Sequence, residues 1–419
     1  MLIQHETPVI QEQHTTQKPK ESRPKETIVD LFSRYIRGPI HMHTVGKNPE
    51  GGLEATLTLE QQLSYLGKIA SASNTKEAFP LEFTTVTNHA EHLGLNDDHL
   101  EKCIKEGTLT LSESELIKSG REKRKIPKND PRAIQAVGND GWGLCTLEEN
   151  SAMAKSAALE LQQTIATCKE IQNRYPTIAI HPGVEASITR DGSLTIQDTQ
   201  TLKDLDIVVA SPHASGFDHI PLAPTPEELV AIYTKVAETQ PILILGHPFI
   251  DKPISSELVQ RLSSAGWTKE NPQQNTEIAK QVLEPLMGNL LTTMAKKGIA
   301  WELNLKSPVP SELQEALIIL LESHKTPISI SVDGHQIQQW RKDEEVLSRY
   351  KANENMTDED KIALDATLAG EKAVGVPFLL RLTRLLKQLE THSVHPEQVI
   401  TSSEARLKQA IALRKSTFN

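Results

Sequence analysis

A series of short apolar segments, each followed by a stretch with helical periodicity, constrains the fold of this chain most strongly. Seven such segments occur: Gly38–His43, Glu82–His89, Thr177–Ser187, Asp206–His213, Pro241–Pro248, Ile299–Leu305 and Pro327–His335. Continuous apolar strands that alternate with helices are typical of a parallel sheet covered on both faces. Seven strands with crossover helices predict an α/β protein with a TIM-like (β/α)7 barrel, and an open doubly wound sheet is the alternative.

Three regions depart from this alternation. Residues 1–30 are polar, and we expect a disordered tail there, with the barrel spanning 31–340. A basic stretch lies between about 95 and 150, where we predict a helical insertion after the second strand. Residues 341–419 carry leucines and basic residues in a helical rhythm, which predicts a C-terminal helical extension packed on the barrel.

Composition excludes several classes of protein. The chain has 45 Lys and Arg against 55 Asp and Glu, a formal charge of −10, so strong binding to duplex nucleic acid is not expected. Its 3 cysteines lack C-x-x-C spacing, which excludes a disulfide framework and a cysteine-ligated zinc site. The polar N-terminus and short apolar runs predict a cytoplasmic protein without membrane contact. The oligomeric state stays open.

Residues that bind metals occur at nearly every predicted strand end. They are His41, His43, His89, Glu185, His213, His247, Asp333 and His335. A single histidine at a strand end is more often a hydrogen-bonded structural residue than a ligand. At the mouth of a barrel, however, the strand ends meet, and so many imidazoles and carboxylates would repel each other or stay unsatisfied without cations. Mixed imidazole and carboxylate ligands suit zinc, manganese or iron better than calcium or magnesium.

The motifs around these residues also follow a known order. Along the chain they read IHMHT, TNHAEHLG, HPGVEAS, SPH, GHP, ELN and SVDGH. In this order they resemble the polymerase-and-histidinol-phosphatase (PHP) superfamily over about residues 38–335. The resemblance implies a distorted seven-stranded barrel and a metal-dependent phosphoesterase, a hydrolase of phosphate ester bonds with two or three divalent ions.

The resemblance also implies how the ligands are shared. A first ion would be held by His41, His43, Glu185 and Asp333. Glu185 would bridge to a second ion, which would also be held by His213 and His247. His89 and His335 would contribute to a third. The sequence has Asn88 where the family usually has aspartate, and His92 is an alternative ligand for the third ion.

Two cations that share a carboxylate would activate water as hydroxide and neutralise charge on a phosphoryl group. The candidate catalytic residues are His213, His219 and Lys306. Lys306 would bind phosphate, for which Lys252 and Lys47 are further candidates. His219, or Asp218 beside it, would protonate a leaving alkoxide, although both could equally cap a loop.

We therefore expect hydrolysis of a small phosphorylated metabolite or a nucleotide. An amidohydrolase-like metal hydrolase is one alternative, since those barrels also begin with H-x-H on the first strand. Such enzymes often use a bridging lysine, and no lysine falls on predicted strands 3 to 5. A non-catalytic, metal-binding regulatory PHP module is the other alternative.

Overall fold

The computed structural model describes residues 34–44, 46–47, 53–55, 58–61, 63, 82–124, 145–196, 199–213, 224–268, 271–306, 308–334 and 378–418. The tail predicted for residues 1–30 lies outside these ranges. In chain order the strands are β1 (Ile40–Met42), β2 (Gly46–Lys47), β3 (Leu53–Ala55), β4 (Phe83–Val86), β5 (Ala179–Ser187), β6 (Ile207–Ser211), β7 (Ile244–Leu245), β8 (Ala300–Asn304) and β9 (Ile328–Gly334).

Seven of these strands form one parallel sheet, in the order β1-β9-β8-β7-β6-β5-β4. The two edge strands approach each other, because the Thr87 amide donates to the Met42 carbonyl at 2.8 Å and the Glu82 amide to the Arg37 carbonyl at 2.7 Å. The sheet is therefore a nearly closed barrel, as predicted, and the open doubly wound alternative is wrong. β2 and β3 form a separate antiparallel pair that the sequence pattern did not predict.

Helices connect the strands and cover the barrel. They are α1 (Asp97–Lys105), α2 (Leu111–Arg124), α3 (Leu147–Arg174), α4 (Thr199–Asp204), α5 (Pro226–Thr239), α6 (Lys252–Ser264), α7 (Pro272–Lys297), α8 (Ser311–His324), α9 (Phe378–Thr391) and α10 (Glu404–Thr417). Local sequence explains several of their starts. Thr225 accepts a hydrogen bond from the Glu228 amide, and the Glu228 side chain accepts one from the Thr225 amide, a capping box with proline at the first helical turn.

The region between β4 and β5 contains α1, α2 and α3, in and beyond the segment predicted as an insertion. α2 and α3 are joined by ion pairs, with the Lys123 ammonium 2.7 Å from the Glu149 carboxylate and Lys155 2.6 Å from Glu113. These three helices share a small apolar core of their own, formed by Leu95, Leu100, Cys103, Leu109, Ile117, Ala152 and Met153. Residues 125–144 lie outside the described ranges.

The C-terminal helix α10 packs against the amino ends of the barrel strands. Its residues Leu407 and Ile411 belong to one apolar cluster with Ile40, Phe83 and Ile207, the first residues of β1, β4 and β6. The end of the barrel opposite the strand carboxyl ends is thereby covered. Among the helices that the structure describes, none is both long and apolar enough to cross a membrane.

Candidate metal centre

The predicted ligands meet at the carboxyl ends of the parallel strands. His41 lies within β1 and Glu185 within β5, and Asp333 lies near the end of β9. The other histidines lie within three residues after the ends of strands β1, β4, β6 and β7: His43, His89, His213 and His247. Because the strands are parallel and adjacent around the barrel, their carboxyl ends bring residues that are up to about 290 positions apart in the chain into one cluster.

Glu185 occupies the centre of this cluster and is fully buried. Its Oε1 lies 3.0 Å from the Nε2 atoms of His41, His213 and His247. Its Oε2 lies 3.0 Å from Nδ1 of His89 and 3.3 Å from Nε2 of His43. The two carboxylate oxygens therefore face two different sets of histidines, which is the arrangement that a bridging ligand requires.

Asp333 contributes a second carboxylate at the edge of the cluster. Its Oδ1 lies 3.5 Å from Nε2 of His43 and 3.1 Å from the ammonium of Lys306. The side-chain amide of Asn304 lies 3.4 Å from Oδ2. Lys306 is the predicted phosphate-binding residue, and its side chain, 32% exposed, sits between solvent and the buried ligands.

Glu302 is the main residue of the cluster to which the sequence analysis assigned no role. Its Oε1 lies 2.6 Å from Nδ1 of His41, and its Oε2 accepts a hydrogen bond from the His247 amide at 2.5 Å. The alternation along β8 contained the signal, because side chains two positions apart in a strand share a face and Asn304 points to the same site.

Two serines support the ligands from within the barrel. The Ser211 hydroxyl donates to Oε1 of Glu185 at 2.6 Å. The Ser187 hydroxyl lies 2.9 Å from Nδ1 of His213, so the opposite ring nitrogen is directed at Glu185. Such contacts orient ligand side chains before any ion is bound.

The charges of the cluster are strongly coupled. Burial disfavours the charged form of His41, but the carboxylates of Glu185 and Glu302 outweigh it and raise the His41 pKa well above its usual value. Burial likewise works against ionised Glu185, yet the imidazoles of His213, His41 and His89 hold its pKa well below the usual range. Burial lowers the pKa of His89 to about 4, and the neighbouring imidazoles act in the same direction while Glu185 opposes them. The cluster thus combines ionised carboxylates with a neutral histidine ready to donate a lone pair.

The backbone is strained at three positions of the cluster. His41, His247 and Asp333 have φ values of 61°, 23° and 43°, in the left-handed region that favours glycine. Each such conformation costs about 1–3 kcal/mol and persists only where the surroundings hold it. His41, His247 and Asp333 lie in one site, and strained backbone conformations are often found at functional sites.

The donor set fits divalent cations. Ligand atoms come close enough for one ion in three groups: His41, Glu185 and His247; His41, His43 and Asp333; and His43, His89 and Glu185. Nε2 of His41, Oε2 of Glu185 and Nδ1 of His247 are buried and lack an aligned hydrogen-bond partner among the described residues. Buried nitrogen and oxygen atoms without aligned partners are an environment that a bound metal ion would satisfy.

The remaining predicted residues have different outcomes. His219, Asp218 and His335 lie outside the described residues, as does the side chain of Lys47. Lys252 begins α6 and is exposed. The alternative ligand His92 lies next to His89, with the two ring centres 5.1 Å apart.

Asn88 does not face the ligands through its amide oxygen. That oxygen accepts a hydrogen bond from the Thr44 amide at 2.8 Å, and its amide nitrogen donates to the Thr44 hydroxyl at 3.0 Å. Asn88 therefore ties the loop after β1 to the loop after β4, beside the cluster.

The fold and the cluster together define a TIM-like barrel with a His/Glu/Asp site that could bind metal at the strand carboxyl ends. No protein-family model and no curated protein matches the chain. What the chain does must therefore be inferred from the chemistry of this cluster.

Proposed function

We propose that the protein is a metal-dependent phosphoesterase of the PHP type that hydrolyses a small phosphorylated metabolite or a nucleotide. The observation that carries this proposal is the position of Glu185. Its two oxygens contact separate sets of histidines at 3.0–3.3 Å, so that two cations could share one buried carboxylate. Paired cations bridged in this way are common in enzymes that act on phosphate esters.

The sharing that the sequence resemblance implies is supported in part by the ligand groups, although His41 also groups with Glu185 and His247 and faces the same oxygen of Glu185 as His213 and His247. His41, His43 and Asp333 form one compact group, which would hold a first ion together with Glu185. His213 and His247 both face Oε1 of Glu185 and would hold the second ion. His43, His89 and Glu185 form a further group for a third ion. When bound, these cations would supply Lewis-acid stabilisation of phosphoryl oxygens and lower the pKa of a water molecule.

Residues of the chain itself would bind and orient the phosphate group. The Lys306 ammonium lies 3.1 Å from Asp333 at the open side of the cluster, so it can contact a phosphoryl oxygen placed next to the ions. The Lys306 amide donates to the Asn304 side chain at 2.9 Å, which fixes the backbone from which the lysine extends. The net charge of −10 favours small substrates over long nucleic-acid duplexes.

An amidohydrolase-like enzyme would use a similar barrel but a different bridge. None of the residues in strands β4 to β7 is a lysine, and the central position is held by Glu185. A carboxylate can also bridge ions in such enzymes, so the substrate has to separate the two classes.

The test uses the purified full chain. Elemental analysis should find two or three transition-metal ions per chain, and a phosphomonoester such as p-nitrophenyl phosphate should be hydrolysed with manganese or zinc, while a cyclic amide should not. Glu185→Gln should lower metal content and reduce activity by about 100-fold or more, because the shared ligand loses its charge. The matched control is Glu149→Gln, a buried carboxylate of α3 that is far from the cluster in the chain and pairs with Lys123.

Three results would contradict the proposal. A wild-type chain without bound ions and without activity would favour an inert module. Hydrolysis of the cyclic amide alone would favour the amidohydrolase reading. Full phosphatase activity in Glu185→Gln would show that the chemistry occurs elsewhere.

A further inference from the structure

Glu302 makes an unusual pair of contacts for a residue outside the proposed ligand sets. It is the third residue of β8, is 2% exposed, and points into the barrel beneath the cluster. One oxygen faces Nδ1 of His41 at 2.6 Å, and the other accepts from the His247 amide at 2.5 Å. A single carboxylate from β8 thereby joins the ends of β1 and β7.

These contacts determine which atom of each pair donates the hydrogen bond and which accepts it. A backbone N–H can only donate, so the oxygen facing His247 must be an acceptor. The other oxygen of an ionised carboxylate is also only an acceptor, so Nδ1 of His41 must carry the proton. In the neutral, metal-binding form of the ring, Nδ1 keeps this proton and the lone pair is on Nε2, the atom that lies 3.0 Å from Glu185. That tautomer is the one that can bind a metal ion from this position.

The same carboxylate contacts two residues whose backbones are strained. His41 and His247 have φ values of 61° and 23°, and residues other than glycine keep such values only where tertiary contacts hold them. Glu302 contacts the ring of His41 and the backbone amide of His247. In the sheet order, β1 with His41 lies on one side of the β9–β8 pair, and β7, which leads to His247, lies on the other side. Both imidazoles place Nε2 3.0 Å from Oε1 of Glu185.

We propose that Glu302 is a positioning residue, which fixes the tautomer of His41 and the backbone of His247 so that both Nε2 atoms are ready to bind metal. The inference rests on the metal-binding part of the proposed function and goes beyond it by assigning a role to a residue that contacts no ion itself.

Replacing Glu302 by glutamine separates this role from simple packing, since the side chain keeps its size but has one acceptor oxygen instead of two. If the glutamine oxygen accepts from the His247 amide, the glutamine NH2 group faces Nδ1 of His41. Nδ1 must then accept a hydrogen bond, and the ring proton of His41 moves to Nε2. If the side chain turns the other way, two N–H donors face each other at His247. In both orientations one histidine is lost as a prepared ligand.

Metal affinity is therefore the measured quantity. Titration of the metal-free full chain with Zn²⁺ should show affinity lowered by about 10–100-fold in Glu302→Gln, the usual effect of losing a partner of a metal-binding histidine. Glu302→Asp keeps two acceptor oxygens and should recover part of the loss. Glu149→Gln, an equally buried carboxylate in α3, should leave Zn²⁺ affinity unchanged. Thermal unfolding in EDTA checks that each variant is folded.

A double variant tests whether Glu302 acts through His41. In a His41→Ala background, Glu302→Gln should lower Zn²⁺ affinity by a smaller factor than in the wild type, because the tautomer no longer matters. Equal factors in the two backgrounds would overturn the proposed tautomer control.

A measurement on the wild type does not depend on how a variant folds. The Co²⁺-loaded protein should show a paramagnetically shifted N–H resonance that exchanges slowly with water and disappears in His41→Ala. Its absence from the wild type would overturn the inference. So would unchanged Zn²⁺ affinity in Glu302→Gln, provided that the wild type binds Zn²⁺. A wild type that binds neither Zn²⁺ nor Co²⁺ would overturn the proposed function and, with it, this inference.

Discussion

Arg414 on α10 offers a quantitative test of how the barrel holds its site in place. Its side chain is 1% exposed and donates to the backbone carbonyls of Leu202 at 3.0 Å, Pro241 at 2.8 Å and Leu205. These carbonyls belong to the segments that lead into β6 and β7. The opposite ends of the same two strands lead to His213 and His247 of the candidate metal centre.

We expect Arg414→Met to destabilise the protein by about 3 kcal/mol. The apolar side chain leaves three buried carbonyls without a donor, at about 1–3 kcal/mol each. Burial lowers the pKa of Arg414 to about 10, against a weaker opposite effect of Asp206, so the guanidinium itself is poorly solvated. Removing the buried guanidinium also removes the cost of burying its charge, which offsets part of the loss of the three hydrogen bonds. The expected destabilisation is therefore near the lower end of the range for three unpaired carbonyls.

Urea unfolding followed by circular dichroism measures this difference. The matched control is Arg406→Met on the same helix, where the arginine is 34% exposed and pairs with Glu397, so a change within about 0.5 kcal/mol is expected. If Arg414→Met is no less stable than Arg406→Met, the three carbonyl contacts do not hold α10 and the strand starts together.

Two further predictions concern the same barrel. Burial opposes ionisation of Asp206, but hydrogen bonds with His181 and Lys415 lower its pKa to about 2. The ionised carboxylate therefore stabilises the fold above about pH 4, and this stabilisation is lost as the pH falls through 2. Asp206→Asn should therefore be about 2 kcal/mol less stable than wild type at pH 7, and the difference should fall to about 0.4 kcal/mol at pH 2. A difference that stays constant with pH would contradict this cause. A Cβ at Gly246 would lie 2.1 Å from Oγ of Ser211, the hydroxyl that donates to Glu185. Gly246→Ala should therefore lower the free energy of unfolding by about 1–3 kcal/mol, measured by urea unfolding. Unchanged stability would refute the tight contact.

The barrel could be predicted from the sequence because its pattern is local. Each of the seven predicted apolar segments contains an observed strand of the sheet, and the strong start signal at Thr225 begins α5 as a capping box. The β2–β3 pair was missed because the strands are only two and three residues long, too short for a sequence pattern to indicate a strand. The helical region between β4 and β5 was expected, but the bounds of α1 and α2 within it were not.

The candidate site was partly predictable for a related reason. Parallel barrel strands place their carboxyl ends at one mouth, so residues at those ends, such as His41, Glu185 and His247, could be expected to meet. Glu302 received no role because its alternation with Asn304 indicates a shared face of the strand but does not identify the partners on that face. Its contacts with His41 and His247 depend on the curvature of the barrel and on strained backbone at both partners.

The sequence by itself determined the alternation of strands and helices, the residue types available for a metal centre and their placement at strand ends. These features follow from hydrophobic periodicity and from the direction of each strand, which are local properties of the chain. Only the tertiary structure decided which oxygen of Glu185 faces which histidine, that Glu302 joins β1 to β7, and that Lys306 reaches Asp333. Those contacts link residues far apart in the chain, and distances of about 3 Å between them are set by how the closed sheet twists and packs, which no local pattern encodes.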